Sequence, residues 1–477
     1  MKPATPTLDT LSTIHADGSR KFVHPSDVRG PFTFWRRVAA LVLLVIYVAL
    51  PWIPVNGFPA VFLDVQERRF HFFGLTLATQ DLWIGFFLVT GLAFSLFYIT
   101  SLFGRVWCGW TCPYTVFLEQ LYRRVERWID GDGPERRRLE DAPWTLSKIV
   151  RRVIKHAIFI LISAFIAHIF LSYFVSIKAL YEMMHHSPHH HAKAFGVVVF
   201  LTAALYGSFS WFREQFCVIL CPYGRLQSAL TDDNSIVIGY DKKRGEPRGK
   251  GSVEQPAGDC VDCRRCVQVC PTGIDIRNGL QLECIGCAAC VDACDDIMTK
   301  LKRSKGLVRY DSYVGLMGGK TRLVRPRTII YTCMLLVGAV AFTIATTRIS
   351  PMRASVVRMG GASFYVDNGV IRNQFQLRVI NKRNAESAYR IELVGDVPQS
   401  LKITGVDQTI TLPPMGEDVK TLVLTLPQPD YQQHFKFRVK VTDTERGDSM
   451  DTRVMEYLGP DPKSAPAATL NAKDFIH

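Results

Sequence analysis

Eight cysteines between positions 260 and 294 form the strongest chemical pattern in this sequence. They occur in two runs with the spacing C-x2-C-x2-C-x3-C, and a proline follows the first run. This spacing is typical of bacterial ferredoxins with two [4Fe–4S] clusters, in which the fourth cysteine of each run ligates the other cluster. It predicts one cluster on Cys260, Cys263, Cys266 and Cys294, and a second cluster on Cys284, Cys287, Cys290 and Cys270.

Zinc sites and disulfides are weaker interpretations of these eight residues. Zinc sites use separated cysteine pairs rather than a triple run with a trailing fourth cysteine. Disulfides are rare in the cytoplasm, where the charge distribution described below places this segment. The second run ends in Asp295 instead of proline, and this difference removes no ligand.

Four further cysteines form two matched pairs, Cys108 with Cys112 and Cys217 with Cys221. Both pairs read C-x3-C-P-Y, and each follows an apolar segment. Residues i and i+4 share a helix face, so the thiols of one pair could converge. The proline instead disfavours helix at the second cysteine and suits the start of a new helix. A helix N-terminus lowers the pKa of a thiol, which favours thiolate.

Two packed hairpins would bring these four thiols to one depth beside the ferredoxin segment. Four thiolates could bind Cu(I), zinc or an iron–sulfur cluster, or act as a dithiol/disulfide pair. Small buried packing cysteines are the alternative, and we assign Cys333 that role.

The tract His185–His191 could bind divalent metals or be a solvated loop. His156 and His168, inside the third apolar segment, receive no assigned role.

Five apolar segments are long enough to cross a bilayer, which takes about 20 residues. Arginine and tryptophan flank them, as is typical of membrane spans. Polar residues precede the first segment and no small-residue cleavage site follows it, which argues against a signal peptide. The predicted spans are 38–55, 82–103, 153–177, 194–212 and 328–347.

The net charge of +14 records topology rather than nucleic-acid binding. The pieces 1–37, 104–152 and 213–327 carry +11, whereas the two intervening loops sum to zero and the tail carries +1. The positive-inside rule places those three pieces on the cytoplasmic side of a bacterial inner membrane and the tail on the periplasmic side. No nucleic-acid module, Walker loop or GxGxxG motif accompanies the charge.

The tail from about position 350 predicts an all-β domain. It has no cysteine, and runs such as 375–380 and 434–441 alternate apolar and polar residues, the period of a half-buried strand. Seven or eight such strands in some 110 residues indicate an immunoglobulin-like β-sandwich. Nothing in this tail resembles a catalytic site, so we interpret it as an interaction or positioning module.

The predicted architecture is therefore a multi-domain membrane protein with a five-helix transmembrane bundle. An α+β ferredoxin insert and an all-β sandwich lie on opposite faces of the membrane. The predicted parts are a cytoplasmic arm at 1–37, four spans within 38–212 with a cytoplasmic loop at 104–152, a cytoplasmic region at 213–327 with its ferredoxin core at about 257–298, a fifth span at 328–347, and a periplasmic sandwich at 350–477.

The chain shows a specific combination of features: five spans, paired C-x3-C-P motifs, a two-cluster insert with the stretch Cys270-Pro-Thr-Gly-Ile-Asp-Ile, and a β-sandwich tail. It closely resembles the cbb3-type cytochrome c oxidase accessory protein family of membrane polyferredoxins over nearly the whole chain. The resemblance implies reduction of Cu(II) to Cu(I) for the copper–haem centre of the oxidase. It places copper as substrate or bound ion at Cys108, Cys112, Cys217 and Cys221, which are then the catalytic residues.

The expected function is therefore that of a cupric reductase with two [4Fe–4S] clusters. Expected partners are a cytoplasmic electron donor, subunits or assembly factors of a cbb3 oxidase, and membrane lipid, but not nucleic acid; a homodimer is left open. A quinol-linked electron-transfer subunit and a non-catalytic assembly scaffold are the alternatives.

Overall fold

A computed structural model describes residues 20, 22–65, 69–78, 82–249, 257–347, 350–383 and 385–460. The predicted N-terminal arm is therefore described from residue 20 onward, and the last part of the tail, 461–477, lies outside the described residues. The chain divides into two compact units, Met1–Thr346 and Thr347–His477.

The first unit is mainly helical. Its helices are α1 (Pro31–Ala49), α2 (Leu82–Phe103), α3 (Val106–Trp110), α4 (Pro113–Phe117), α5 (Arg123–Asp130), α6 (Gly133–Asp141), α7 (Leu146–Leu171), α8 (Ile177–His185), α9 (Ala192–Gly207), α10 (Pro222–Leu230), α11 (Lys242–Gly245), α12 (Arg265–Gln268), α13 (Ala289–Lys300), α14 (Tyr313–Leu316) and α15 (Pro326–Thr347). Turns of π-helix at Leu118–Tyr122, Ser208–Phe212 and Phe216–Leu220 adjoin α4, α9 and α10 respectively.

Five helices in the described part of the chain are long and apolar enough to cross a membrane, which confirms the predicted five-helix core. They cover Pro31–Trp52, Trp83–Phe103, Leu146–Leu171, Ala192–Phe212 and Pro326–Thr347. The first and third begin before the predicted apolar segments because each includes charged residues on a buried face. Arg36 in α1 and Lys148 in α7 precede the predicted starts of these segments, and both are almost fully buried.

Aromatic residues form the core between α7, α9 and the helical run 113–130. The rings of Tyr122 and Phe209 stack 4.6 Å apart, and Tyr122 meets Phe159 edge-on at 5.0 Å. The hydroxyl groups of Tyr122 and Ser163 hydrogen-bond at 2.7 Å, which satisfies the buried polar end of the tyrosine. This packing fixes the run 113–130 against the membrane helices.

Short β-strands cover the end of the helical bundle opposite the cysteines, which the sequence analysis treated as a plain loop. A hairpin pairs β1 (Pro54–Val55) with β2 (Phe58–Pro59), and a three-stranded sheet joins β3 (Val61–Asp64), β4 (Arg69–Phe72) and β5 (Leu75–Ala78). Asn56 and Gly57 both have positive φ in the first turn. An Asn-Gly pair is a strong hairpin signal, so the sequence did carry this information.

The ferredoxin segment is framed by a two-stranded sheet of β6 (Val237–Tyr240) and β7 (Val308–Asp311). Its apolar core includes Ile238, Ile276 and Leu307, each nearly inaccessible to solvent. Helix α13 of this segment contacts α1, and Asp292 accepts hydrogen bonds from the backbone N–H and the hydroxyl of Thr33, both at 2.7 Å. The ferredoxin segment is therefore held directly to the start of the first span.

The second unit is a sandwich of two antiparallel five-stranded sheets, as predicted. The first sheet has the order β12-β14-β10-β8 with β9 also paired to β10, and the second has the order β13-β11-β15-β16 with β17 also paired to β15. The strands are β8 (Met352–Arg358), β9 (Tyr365–Asp367), β10 (Val370–Asn381), β11 (Ser387–Gly395), β12 (Lys402–Thr404), β13 (Thr409–Leu412), β14 (Glu417–Pro427), β15 (Phe435–Asp443), β16 (Ser449–Asp451) and β17 (Met455–Tyr457).

Alternating burial along the long strands builds the sandwich core. Phe375 of the first sheet meets Phe437 of the second edge-on at 5.3 Å, and Leu377, Leu424 and Val439 are fully buried nearby. The described tail has more strands than the seven or eight expected, because three-residue strands such as β9, β12 and β16 are too short to show a clear alternation.

Candidate functional site

Each cysteine run bends through two left-handed residues before entering a short helix. Asp262 and Arg264 have φ of 55° and 54° in the first run, and Gly286 and Ala288 have 65° and 60° at the equivalent positions of the second. Non-glycine residues adopt this conformation rarely. Three of these four residues are not glycine and still have positive φ. Both cysteine loops therefore curve in the same way, which agrees with their equal cysteine spacing.

The structure brings the predicted ligands together in the crossed arrangement. The thiol of Cys294 interacts electrostatically with those of Cys260 and Cys263, and Cys266 interacts with Cys294. In the other group, the thiol of Cys270 interacts with those of Cys284, Cys287 and Cys290. In each group, therefore, the fourth cysteine of one run lies near the first three of the other.

A small cavity lies among the second group of cysteines. Its lining includes Cys270, Cys284, Cys287 and Cys290, with apolar walls from Ile238 and Ile276 among others. Four thiols around a mostly apolar space fit the soft-ligand chemistry of a [4Fe–4S] cluster. The first group differs in exposure: Cys263 is exposed to solvent, whereas the other seven cysteines of the two runs are buried or half-buried.

The two C-x3-C-P pairs lie at equivalent points of their hairpins. Cys108 is in α3 and Cys217 is in the π-helical turn Phe216–Leu220. Cys112 and Cys221 occupy the positions directly before α4 and α10, each with proline as the first helical residue. No single helix runs through either pair, so the proline, rather than the i, i+4 spacing, determines the local structure.

The two pairs also converge. The thiol of Cys217 interacts electrostatically with those of Cys108, Cys112 and Cys221, and Cys108 interacts with Cys112 and Cys221. Within the described residues, no three histidine, cysteine or acidic side chains form a closed metal-binding group, and this holds for the ferredoxin cysteines as well. In both places, cysteine spacing and the mutual proximity of the thiols therefore identify the candidate ligands.

Burial sets the protonation of the first cysteine in each pair. It raises the pKa of Cys108 to about 12, an effect that the neighbouring Arg105 guanidinium partly opposes. It raises the pKa of Cys217 to about 12 as well, and the nearby thiols of Cys112 and Cys108 add to the rise. Burial therefore favours the protonated form of these two thiols, and a bound metal ion would have to displace their protons.

The tyrosine of each C-P-Y motif reaches across to the other hairpin. The hydroxyl of Tyr114 donates to the backbone carbonyls of Ser208 and Arg213, at 3.2 Å and 2.7 Å, and its ring stacks on Phe216 at 4.3 Å. In return, the hydroxyl groups of Tyr223 and Thr100 hydrogen-bond at 2.5 Å. This reciprocal exchange locks the two thiol pairs together, and the sequence analysis missed it although both motifs contain the tyrosine.

Arg105 connects both thiol motifs to the ferredoxin segment. Its guanidinium donates to the carbonyl of Gly224 at 2.8 Å, to the side chain of Gln227 and to the carbonyl of Leu282. Gly224 and Gln227 lie on the helix that follows Cys221, and Leu282 precedes Cys284. The arginine is 5% exposed, so its charge acts in a medium that screens it weakly.

The loop of the first pair lies directly on the second cysteine run. A Cβ atom on Gly109 would lie 2.6 Å from the carbonyl oxygen of Ile285 and 2.8 Å from the backbone nitrogen of Cys287. Cys108 and Cys287 belong to one buried apolar cluster with Ile285. Glycine at position 109 therefore lets the backbone beside the membrane-edge thiols contact the backbone of a predicted cluster ligand.

We call this contact between the Gly109 loop and the second cysteine run the junction. A buried network of ion pairs surrounds it. Arg123 pairs with Glu119 and, at 2.9 Å, with Glu214, and it donates to the carbonyl of Pro271 at 3.0 Å. Glu119 also lies 3.6 Å from Arg36. In the sequence these residues contribute only to the charge balance that indicates topology, but in the structure they are buried between α1, the helical run 113–130 and the ferredoxin segment.

The remaining sequence candidates lie away from the junction. The tract His185–His191 begins at the last residue of α8, at the opposite end of the bundle. There the ring of His186 is 6.4 Å from that of His190 and 6.3 Å from that of His191. His156 hydrogen-bonds the hydroxyl of Tyr206 at 3.0 Å, and His168 hydrogen-bonds the carbonyl of Ala164 at 2.7 Å. Cys333 is exposed on the fifth span.

Three protein-family models match successive parts of the chain. A 4Fe–4S binding domain matches residues 82–130, a 4Fe–4S dicluster domain matches 212–313, and the Ig-like fold at the C-terminus of FixG matches 342–460. Together with five apolar helices, these matches define a membrane-bound iron–sulfur electron-transfer protein with a C-terminal Ig-like domain.

Curated relatives narrow this class to one family. Protein RdxA of Cereibacter sphaeroides is 34% identical over 435 residues, 84% of this chain and 92% of RdxA, and protein RdxB of the same organism is 34% identical over 83% of this chain and 87% of its own length. The nitrogen fixation protein FixG of Rhizobium meliloti is 41% identical over 307 residues, 61% of this chain but only 57% of FixG. The chain belongs to the cbb3-type cytochrome c oxidase accessory protein family of RdxA, RdxB and FixG.

Proposed function

We propose that this chain reduces Cu(II) to Cu(I) for the copper–haem centre of a cbb3-type cytochrome c oxidase. The observation that carries the proposal is the junction itself. Four thiols converge at the edge of the membrane, and the backbone beside one of them contacts the second cysteine run through Gly109. A redox-active metal held by these thiols would lie next to predicted ligands of an iron–sulfur centre.

The ferredoxin cysteines would hold the cofactors in two groups: Cys260, Cys263, Cys266 and Cys294, and Cys284, Cys287, Cys290 and Cys270. Two bound [4Fe–4S] clusters would supply one-electron transfer. Because Cys263 is exposed and the second group is enclosed, an electron donor would approach from the Cys263 side. The apolar cluster around Cys287 excludes water from the junction.

The four membrane-edge thiols, Cys108, Cys112, Cys217 and Cys221, would bind copper as the substrate. Each Cu(II) ion takes up one electron to become Cu(I), and the soft thiolate ligands favour the reduced ion. Since burial keeps Cys108 and Cys217 protonated at neutral pH, copper binding releases their protons. The protein would then pass Cu(I) to an oxidase subunit or assembly factor, and the β-sandwich is the proposed docking module.

The test uses the purified full chain, reduced under anaerobic conditions and mixed with Cu(II) and a colorimetric Cu(I) chelator. We expect replacement of all four membrane-edge cysteines by serine to abolish the protein-dependent formation of Cu(I), without loss of cluster absorption. Cys333→Ser, which changes an exposed thiol outside the junction, is the matched control and should keep the wild-type rate.

An unchanged rate in the four-serine variant would refute copper binding at these thiols. Rapid reoxidation by a quinone in the absence of copper would instead support a quinol-linked electron-transfer subunit. Clusters that no reductant can reduce would support a scaffold without catalytic activity.

A second candidate is that the four thiols hold a further iron–sulfur cluster. The match of residues 82–130 to a 4Fe–4S binding domain favours it, because Cys108 and Cys112 lie inside that range. Iron and sulfide analysis separates the two candidates. Under the copper proposal, the four-serine variant keeps the full iron content of the wild type, whereas a further cluster would be lost together with its four iron atoms.

A further inference from the structure

A cleft lies between the start of α1, the helical run 113–130 and the first cysteine run. Four arginines line it, Arg36, Arg37, Arg124 and Arg127, against the two carboxylates of Asp27 and Glu119. The lining therefore carries an excess of positive charge. Such an excess in a partly buried cleft favours an anion.

The carboxylates neutralise these arginines unevenly. Asp27 lies 2.9 Å from both Arg37 and Arg127, and Glu119 serves Arg36 and the deeper Arg123. Among the described residues Arg124 forms no ion pair within 4 Å, and its guanidinium donates to the side-chain oxygen of Gln120 at 3.4 Å. Burial lowers the pKa of Arg124, the neighbouring charges of Arg37 and Arg127 lower it further, and the carboxylates of Asp27 and Glu119 oppose this only in part.

Two hydrogen-bond donors in the cleft lining are also unsatisfied. The hydroxyl of Ser26 and the Nε–H of Arg127 are buried, and neither has a hydrogen-bond partner among the described residues. Both residues line the cleft. Buried donors are normally satisfied, so these two and the Arg124 guanidinium point to an acceptor-rich anion.

The position of the cleft indicates where such an anion comes from. Arg36 and Arg37 belong to the first two turns of the first membrane span, and the adjacent Phe34 and Trp35 are 59% and 61% exposed. Exposed aromatic side chains at the end of a span mark the depth of the lipid headgroups. Basic pockets at this depth are suited to acidic headgroups.

We propose that this cleft binds the phosphate group of an acidic phospholipid, with Arg124 as the principal ligand. Guanidinium groups bind phosphate through paired hydrogen bonds of fixed geometry. Val269, Pro271 and Ala289 also line the cleft, so the bound headgroup would lie against the loop that holds Cys270. The proposal goes beyond copper reduction and does not depend on it.

The test measures lipid binding to the full chain in detergent by native mass spectrometry, with dioleoyl phosphatidylglycerol and dioleoyl phosphatidylcholine as probes. We expect the wild type to prefer phosphatidylglycerol and Arg124→Gln to bind it about tenfold more weakly, the loss expected for charge-assisted hydrogen bonds. Arg138→Gln removes an exposed arginine outside the cleft and should bind as the wild type does. Intact cluster absorption shows that each variant is folded.

A second arm titrates inorganic phosphate into the delipidated protein. Phosphate binding that depends on Arg124, without a preference for phosphatidylglycerol, would support the phosphate site and identify a soluble ligand as its source. Equal binding of both probes and of phosphate by the wild type and Arg124→Gln would overturn the proposal.

Discussion

Gly109 lies where the membrane-edge thiols contact the second cysteine run. Gly109→Ala would place a methyl group 2.6–2.8 Å from backbone atoms of Ile285 and Cys287, which have no flexible end to move away. The two backbones must separate. We expect the rate of Cu(I) formation to fall by about ten- to a hundredfold, because small displacements at a reacting centre have effects of that size.

The measurement is the chelator assay on the reduced full chain, with cluster content followed by absorption. Gly196→Ala in α9 is the matched control, because a Cβ atom there meets nothing within 4 Å. An unchanged rate in Gly109→Ala, with its clusters intact, would show that this backbone contact does not limit the reaction.

Arg105 supplies a buried positive charge near three thiols. It interacts electrostatically with Cys108 and Cys217 of the membrane-edge pairs and with Cys284 of the second cysteine group. A nearby cation stabilises the more negative, reduced form of a redox centre. Arg105→Gln should therefore lower the midpoint potential of one of the two clusters by on the order of 60 mV, equivalent to tenfold in a one-electron equilibrium.

Redox titration of the full chain followed by electron paramagnetic resonance measures this potential. Arg105→Lys keeps the positive charge, so its midpoint potential should lie close to that of the wild type. Arg225→Gln changes an exposed arginine on the same helix as Gly224 and should leave both potentials unchanged. A wild-type potential in Arg105→Gln would limit the role of Arg105 to its hydrogen bonds.

At the scale of elements, ion pairs hold α5 against its neighbours. The carboxylate of Glu126 accepts from Arg213 at 3.0 Å and 3.2 Å and from Arg136 at 3.0 Å. Burial acts to raise the pKa of Glu126, but the charges of Arg213 and Arg136 outweigh it and lower the pKa to about 2. The end of the fourth candidate span, through Arg213, and α6, through Arg136, are thus both held to one carboxylate of α5.

A lowered folded-state pKa makes this stabilisation dependent on pH. It is fully present above the ordinary pKa of about 4.3 for an unfolded glutamate and is lost as the pH falls toward 2. We expect Glu126→Gln to lose about 3–5 kcal/mol at pH 7, because it leaves two buried arginines without their partner. The difference in Tm between the wild type and the variant should shrink as the pH falls from 5 to 3.

Thermal unfolding of the full chain across this pH range provides the measurement. Asp141→Asn, at an exposed end of α6, is the control for loss of a carboxylate and should keep the wild-type Tm. A difference in Tm that stays constant from pH 7 to pH 3 would contradict the assignment of this ion-pair network.

The features predicted from sequence are those that local spacing determines. Five apolar segments, two cysteine runs and alternating strands each lie within a short stretch, so periodicity alone indicates them. Other features depend on residues about a hundred positions apart in the chain. These features are the reciprocal hydrogen bonds of Tyr114 and Tyr223, the contacts of Arg105 and the burial of Arg123. Spacing carries no information about such pairings, and a charge count treats a buried arginine as if it were solvated.

At the scale of the whole molecule, one set of loops carries the charge. The pieces 1–37, 104–152 and 213–327 hold +11 of the net +14, and the loops on the other side sum to zero. In the helical unit, β3 and the end of α7 lie at the same end of the bundle, where the backbone N–H of Leu63 donates to the carbonyl of Tyr173 at 2.7 Å. The thiols and the ferredoxin segment belong to the opposite, basic end.

The positive-inside rule then predicts that the ferredoxin segment faces the cytoplasm and the β-sandwich faces the periplasm. Ser228→Cys places a thiol on the exposed surface of α10, and Thr409→Cys places one on an exposed strand of the sandwich. With a membrane-impermeant maleimide, we expect Thr409→Cys to be labelled in intact spheroplasts and Ser228→Cys only after lysis. The unsubstituted chain measures labelling of the native cysteines. The reverse pattern would invert the topology, and labelling of both positions in intact spheroplasts would place the two domains on one side. Because the proposed electron donor approaches Cys263, the same experiment determines the compartment from which its electrons would come.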